Sequence, residues 1–147
     1  MVEPLPDSDH VLRYVRPRLL EKDEQGRPIG IAWQALELRD DEEELSVLWV
    51  EYYGDSATGI PCAIWAKRKA YNVARNSAFA HGNVGRIKQI CSENAQAVRI
   101  LHEPEPGEPC HSAIRRLPRD NQSLFELLAR TAFERLILNS EVGEELP

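Results

Sequence analysis

The densest run of apolar positions is LSVLWVEYYG, Leu45 to Gly54. Read as a strand, it puts Leu45, Val47, Trp49, Glu51 and Tyr53 on one face and Ser46, Leu48, Val50 and Tyr52 on the other. Both faces are apolar, which predicts an interior strand covered on both sides, with Trp49 in the core. Glu51 breaks the pattern. An ionised carboxylate is costly to bury alone, so Glu51 belongs either at a strand end near water or beside a partner such as an arginine or a tyrosine hydroxyl. As chemistry it is a candidate site acid; as structure it is half of an ion pair, and structural pairs also perturb carboxylates.

The segments before this run are weaker. HVLRYVRP alternates His10, Leu12, Tyr14 and Arg16 against Val11, Arg13 and Val15, a short strand of mixed faces that suits a sheet edge and stops at Pro17. EKDEQGRPIG carries the glycine and proline of an exposed turn. IAWQALELR reads as a second strand, with helix as its rival because Ala, Leu, Gln and Glu favour it. The acidic run Asp40 to Glu44 reads as a solvated hairpin loop, since neighbouring like charges repel and acids adjacent on one loop do not converge on one metal.

After Gly54 the period lengthens. Ala63, Ala66, Ala70 and Val73 recur at helical spacing from Pro61 to Asn76, a small-residue face for close packing on a sheet. Lys67, Arg68, Lys69 and Arg75 lie opposite, either as a solvated face or as a binding surface for a phosphate or an acidic partner. SAFAHGNVG predicts a short strand and a tight turn, and Ile87, Ile90 and Cys91 mark a short helix after it. AVRILH, Ala97 to His102, is a strand. Prolines 104, 106 and 109 then enforce a stiff extended loop that delivers Cys110 and His111. SLFELLARTAFERLIL reads as one long helix, with Ser123 and Glu126 spaced as a capping box. This order predicts an α+β fold, a single mixed sheet of about five strands with about two to three helices packed on it. Residues 1–9 read as a flexible arm, 10–139 as one globular domain and 140–147 as a frayed tail.

Composition narrows the function classes. A chain of 147 residues with 42% hydrophobic and 29% charged residues has the material for one core. The net charge of -6 disfavours nucleic acid, without excluding it, and favours a neutral or basic partner. Cys62, Cys91 and Cys110 form no CxxC pair, and their odd number suits free thiols in a reducing compartment. No apolar run is long enough for a membrane span and no signal segment is evident, so the expected location is the cytoplasm.

Candidate chemistry centres on histidine. His10, His102 and His111 lie at strand ends or on the proline loop, and histidine serves acid–base work near neutral pH. With Arg13 or Arg115 to stabilise developing phosphate charge, and Glu51 in support, they would make a small metal-free hydrolase or nuclease. A zinc site of His102, Cys110 and His111 matches no standard ligand spacing, so neither metal nor cofactor is expected.

The set DSDHVLRYVRP, LSVLWVEYYG, NVG, VRILHEPEP and HSAI resembles a group of uncharacterised small bacterial proteins, over His10 to Ile114. The resemblance implies a bacterial cytosolic protein and carries over no functional residue. The leading expectation is a small interaction or accessory module acting with a protein partner, binding through Lys67, Arg68, Lys69 and Cys110, because no specific catalytic motif occurs. The hydrolase near the 102–111 loop is the alternative.

Overall fold

The computed structural model describes residues 3–145. In chain order the first strands are β1 (Glu3–Pro4), β2 (His10–Val15), β3 (Leu20–Lys22), β4 (Pro28–Ile31) and β5 (Glu44–Trp49). Helix α1 (Ser56–Ala70), β6 (Ala78–Asn83) and α2 (Val84–Glu93) follow, and then β7 (Arg99–His102), β8 (His111–Arg115), α3 (Gln122–Thr131) and β9 (Arg135–Leu138). Seven strands form one sheet in the order β1-β7-β8-β5-β2-β6-β9, and β3 with β4 forms a separate hairpin. Every neighbouring pair is antiparallel. The fold class is α+β as expected, but the main sheet is larger than about five strands and is antiparallel rather than mixed.

The alternation along each strand builds a core on both faces. Leu12, Leu48 and Phe79 point to the side covered by α1, where Ile60, Ala63 and Ile64 meet them. Val11, Val15, Leu45, Val47, Ala78 and Ala80 point to the other side, against Ile87 and Ile90 of α2 and Leu124, Phe125 and Leu128 of α3. β5 is therefore an interior strand with both faces covered, as its sequence predicts. It ends at Trp49, however, and Val50–Tyr53 coil into a 3₁₀ turn. Trp49 is half-buried rather than central, and its indole N–H donates to Asp9 at 2.8 Å. Gly59 explains why α1 can lie against that turn: a Cβ there would stand 2.0 Å from the Val50 carbonyl oxygen.

Other boundaries differ for identifiable reasons. Asp55 caps α1 by accepting from the Thr58 N–H, so the helix starts at Ser56 and Pro61 lies inside it. IAWQALELR forms only a 3₁₀ turn, Trp33–Leu36, while the actual strand is β4 just before it. The acidic run leads from that turn into β5, which starts at its last residue, Glu44, and is not a hairpin loop; Arg119 donates to the carbonyls of Glu42 within it and of Arg39 just before it. α3 stops at Thr131, and the apolar run after it pairs with β6 as β9. Its cap is Asn121, which accepts from the Leu124 N–H, and not Ser123. The prolines at 104, 106 and 109 do not hold an extended loop: Glu105 and Glu108 pair across a tight turn at Gly107, making the tip of the β7–β8 hairpin.

Both termini carry contacts where they are described. β1 pairs with β7 and Leu5 is buried, so residues 3–9 lie along the sheet instead of forming an arm. Near the other end, Arg68 and Trp65 donate to the Gly143 carbonyl, which docks the tail on α1. Met1, Val2, Leu146 and Pro147 lie outside the described residues.

Candidate functional site

β2, expected at an edge, lies inside the sheet, and its two seams are unequal. It registers with β6 over all of His10 to Val15. With β5 it registers only at Val11↔Trp49 and Leu12↔Leu48, although β5 stays paired with β8 from Glu44 to Leu48. Beyond Leu12 the two strands part, and the sheet forks. Arg13 stands in the fork: its Nε donates to the Ala35 carbonyl at 3.0 Å and its Nη1 to the Ser46 carbonyl at 2.9 Å. Burial lowers the Arg13 pKa to about 10, which still leaves it charged at neutral pH.

The fork opens into a cleft of about 1220 Å³. Its walls carry Arg13, Arg16, Arg18, Arg39 and Lys67, with Glu37, Glu42, Glu105 and Glu108 among them. His111 lies at its base, 4% exposed. The His111 ring is held on both sides, with Nδ1 2.8 Å from the Glu103 carbonyl and Nε2 3.2 Å from Ser46 Oγ. A ring nitrogen facing a carbonyl must carry its proton, so in the neutral ring Nε2 accepts from the Ser46 hydroxyl. Glu108 is 1% exposed, with Oε1 3.4 Å from Lys67 Nζ and no hydrogen-bond partner for Oε2. Lys67 also lies over the Tyr71 ring, and the Tyr71 pKa is raised, first by burial and then by the charges of Glu108 and Glu105.

The other candidate histidines are elsewhere. His10 faces Glu51 past the end of β5: the carboxylate accepts from the His10 backbone N–H at 2.7 Å, lies 2.6 Å from its ring Nδ1, and accepts from the Ser56 hydroxyl at 2.9 Å. Burial acts to raise the Glu51 pKa, but these hydrogen bonds outweigh it and hold the group below the ordinary value. His81 stacks on His10 with ring centroids 4.8 Å apart. Burial, and then the His10 charge, push the His81 pKa down to about 4. His102 pairs in register with Ser112, so alternation puts it on the face opposite His111. There it meets Trp49 edge-on at 5.1 Å and approaches the Pro109 carbonyl at 2.8 Å. His10, His102 and His111 therefore occupy three separate surroundings and do not converge.

The expected basic surface on α1 is also divided. Arg68 is spent on the carbonyls of Asn139, Val142 and Gly143 and on the Asn139 side chain. Lys69 pairs with Glu145, and only Lys67 reaches the cleft. Cys110 is fully buried and burial pushes its thiol up to about 11, so it presents no binding group; all three cysteines are unpaired. Arg115 is engaged by Glu103 at 2.7 Å and is not part of a histidine site. Ser46, Glu108 and the arginines at 16, 18 and 39 carried no distinguishing signal in the sequence, because the fork that gathers them comes from strands distant along the chain.

Among the described residues, no group of three or more His, Cys, Asp or Glu side chains is placed to hold a metal ion, and no helix is long and apolar enough to cross a membrane. No protein-family pattern, curated protein or solved structure matches this chain.

Proposed function

We propose that this chain is an interaction or accessory module that takes an extended segment of a protein partner into the cleft between β2 and β5. The observation that carries this reading is the fork itself. The Trp49 N–H donates to the Cys110 carbonyl on the β8 side, so alternation turns the peptide groups of Leu48 and Ser46 toward β2. Leu48 has a partner strand there; Ser46 does not, and Arg13 Nη1 takes its carbonyl in place of one. An unpaired strand edge inside a cleft supports main-chain bonding to an extended chain, while flanking side chains select it. Carboxylates on the same walls disfavour a polyanion such as nucleic acid.

A photo-crosslinking residue tests this reading. Gln34→p-benzoylphenylalanine places the probe on an exposed position of the cleft, and Glu93→p-benzoylphenylalanine places it on the far end of α2. In the native host the first should give a discrete protein adduct and the second none. Adducts from neither, or equally from both, would contradict a partner site in the cleft.

A second reading, a small hydrolase, draws support from the 3.2 Å approach of Ser46 Oγ to His111 Nε2 with Nδ1 fixed by a carbonyl. It involves one of the three histidines rather than all of them. Labelling of Ser46 by a fluorophosphonate, lost in His111→Ala, would favour this reading; an unlabelled Ser46 would remove it.

A further inference from the structure

Two charged groups in the cleft keep unused bonding capacity, and their signs are opposite. Arg13 uses Nε and Nη1 on backbone carbonyls, and among the described residues nothing accepts from Nη2 and no carboxylate stands in ion-pair contact with the guanidinium. Glu108 is almost fully buried, and its Oε2 has no partner. Lys67 covers only Oε1 of Glu108, so the buried Oε2 is a cost to the fold, whereas Arg13 Nη2 stands open at the cleft.

The rest of the cleft narrows what could use both groups. A polyanion would meet Glu37, Glu42, Glu105 and Glu108; a polycation would meet Arg13, Arg16, Arg18 and Arg39. A chain carrying one acid and one donor meets neither repulsion. We propose that the cleft recognises a mixed-charge polypeptide segment, with a carboxylate accepting from Arg13 Nη2 and an ammonium or amide N–H donating to Glu108 Oε2. This inference rests on the partner reading above and gives that partner its chemistry. Charge-assisted bonds of this kind set register and suppress wrong partners more than they add raw affinity.

The carboxylate half is tested on the full chain, labelled with ¹⁵N, by following the Arg13 side-chain Nε–H resonance at constant ionic strength. Sodium acetate should shift this resonance and the amides near Ser46 and Ala35 saturably, and inorganic phosphate should do so more weakly. The neighbouring shifts should vanish in R13M and in R13Q. No saturable shift, shifts that persist without Arg13, or phosphate acting as strongly as acetate would overturn the assignment. For the donor half, two blocked peptides of equal length are compared, one with a glutamate and a lysine and one with two glutamates. The mixed peptide should bind at least about tenfold tighter, and Glu108→Gln should erase that preference. Preference for the all-acidic peptide would contradict the inference. If the Gln34 adduct survives R13M and E108Q undiminished, the partner reading stands and this assignment of its chemistry fails.

Discussion

The corner at Glu51 and the fork at Arg13 both place a charged group on the seam between β2 and β5, and they treat it in opposite ways. Glu51 receives hydrogen bonds from the His10 main chain and from Ser56, and lies against the His10 ring. Arg13 gives two bonds to carbonyls and keeps Nη2 unused. The first arrangement closes the carboxylate on the protein itself; the second leaves an N–H group open to whatever enters the cleft. A charged residue on a seam is thus a guide to function only through its bonding: Glu51 is fully bonded, although His81 Nε2 beside it is buried without a partner, and the open Arg13 Nη2 is what supports our proposal that the fork is the site.

The contrast should appear first in stability. Leu12 and Leu48 form the last registered pair before the strands part, and Leu48 is 2% exposed. Leu48→Ala should cost about 2–5 kcal/mol in urea unfolding, because it leaves a cavity where the two halves of the sheet join. A loss under about 1 kcal/mol would mean that the fork is not hinged there.

Glu51→Gln comes next. It keeps the shape but weakens the bonds to His10 and Ser56, and should cost about 1–3 kcal/mol. A neutral result would place the corner outside the architecture and return it to candidacy as a site.

The corner should also give the protein a pH dependence. The His81 pKa falls from the ordinary 6.5 to about 4 in the fold, so between these values the unfolded chain takes up a proton that the folded chain refuses. Stability is full above about 6.5, falls as the pH drops toward about 4, and is not lost further through this group below that. The loss should be at most about 2 kcal/mol, after allowance for solvent screening of a half-buried ring. Urea midpoints across this window measure it, and His81→Gln should flatten the slope.

Arg13→Met is expected to have the smallest effect. Removing a desolvated charge without a counter-ion offsets the loss of two hydrogen bonds to carbonyls that water in the cleft can reach, so the change should stay within about 1 kcal/mol. A loss near that of Leu48→Ala would make Arg13 a structural strut instead of a ligand-facing group.

Much of the architecture was legible in the sequence because it rests on local period. The two apolar faces of β5 follow from spacing alone, but of the small-residue face expected on α1 only Ala63 is buried: Ala70 is exposed, Val73 lies beyond the helix, and the buried side is Gly59, Ile60, Ala63 and Ile64. β9 was not legible, since Leu136 to Leu138 fit helix and strand equally and only pairing with β6 decides between them. For Glu51 the need for a partner was readable and the partner was not: His10 is distant in the chain and neither an arginine nor a tyrosine. The fork was illegible for a deeper reason. It is a failure of β2 and β5 to pair beyond Leu12, a property that neither strand carries in its own residues. Arg13 and His111 could be named as candidates from their chemistry, but their membership of one cleft, and the separation of His10 and His102 from it, required the sheet order.

The central claim, that the fork and not the histidine corner is the functional site, is tested most directly by one comparison of cross-linking yields. The probe at Gln34 is introduced into otherwise unchanged protein, into R13M and into E51Q, and the partner adduct is quantified at equal amounts of folded protein. The adduct should fall at least about tenfold in R13M and persist in E51Q. An adduct that persists in R13M and disappears in E51Q would contradict the account.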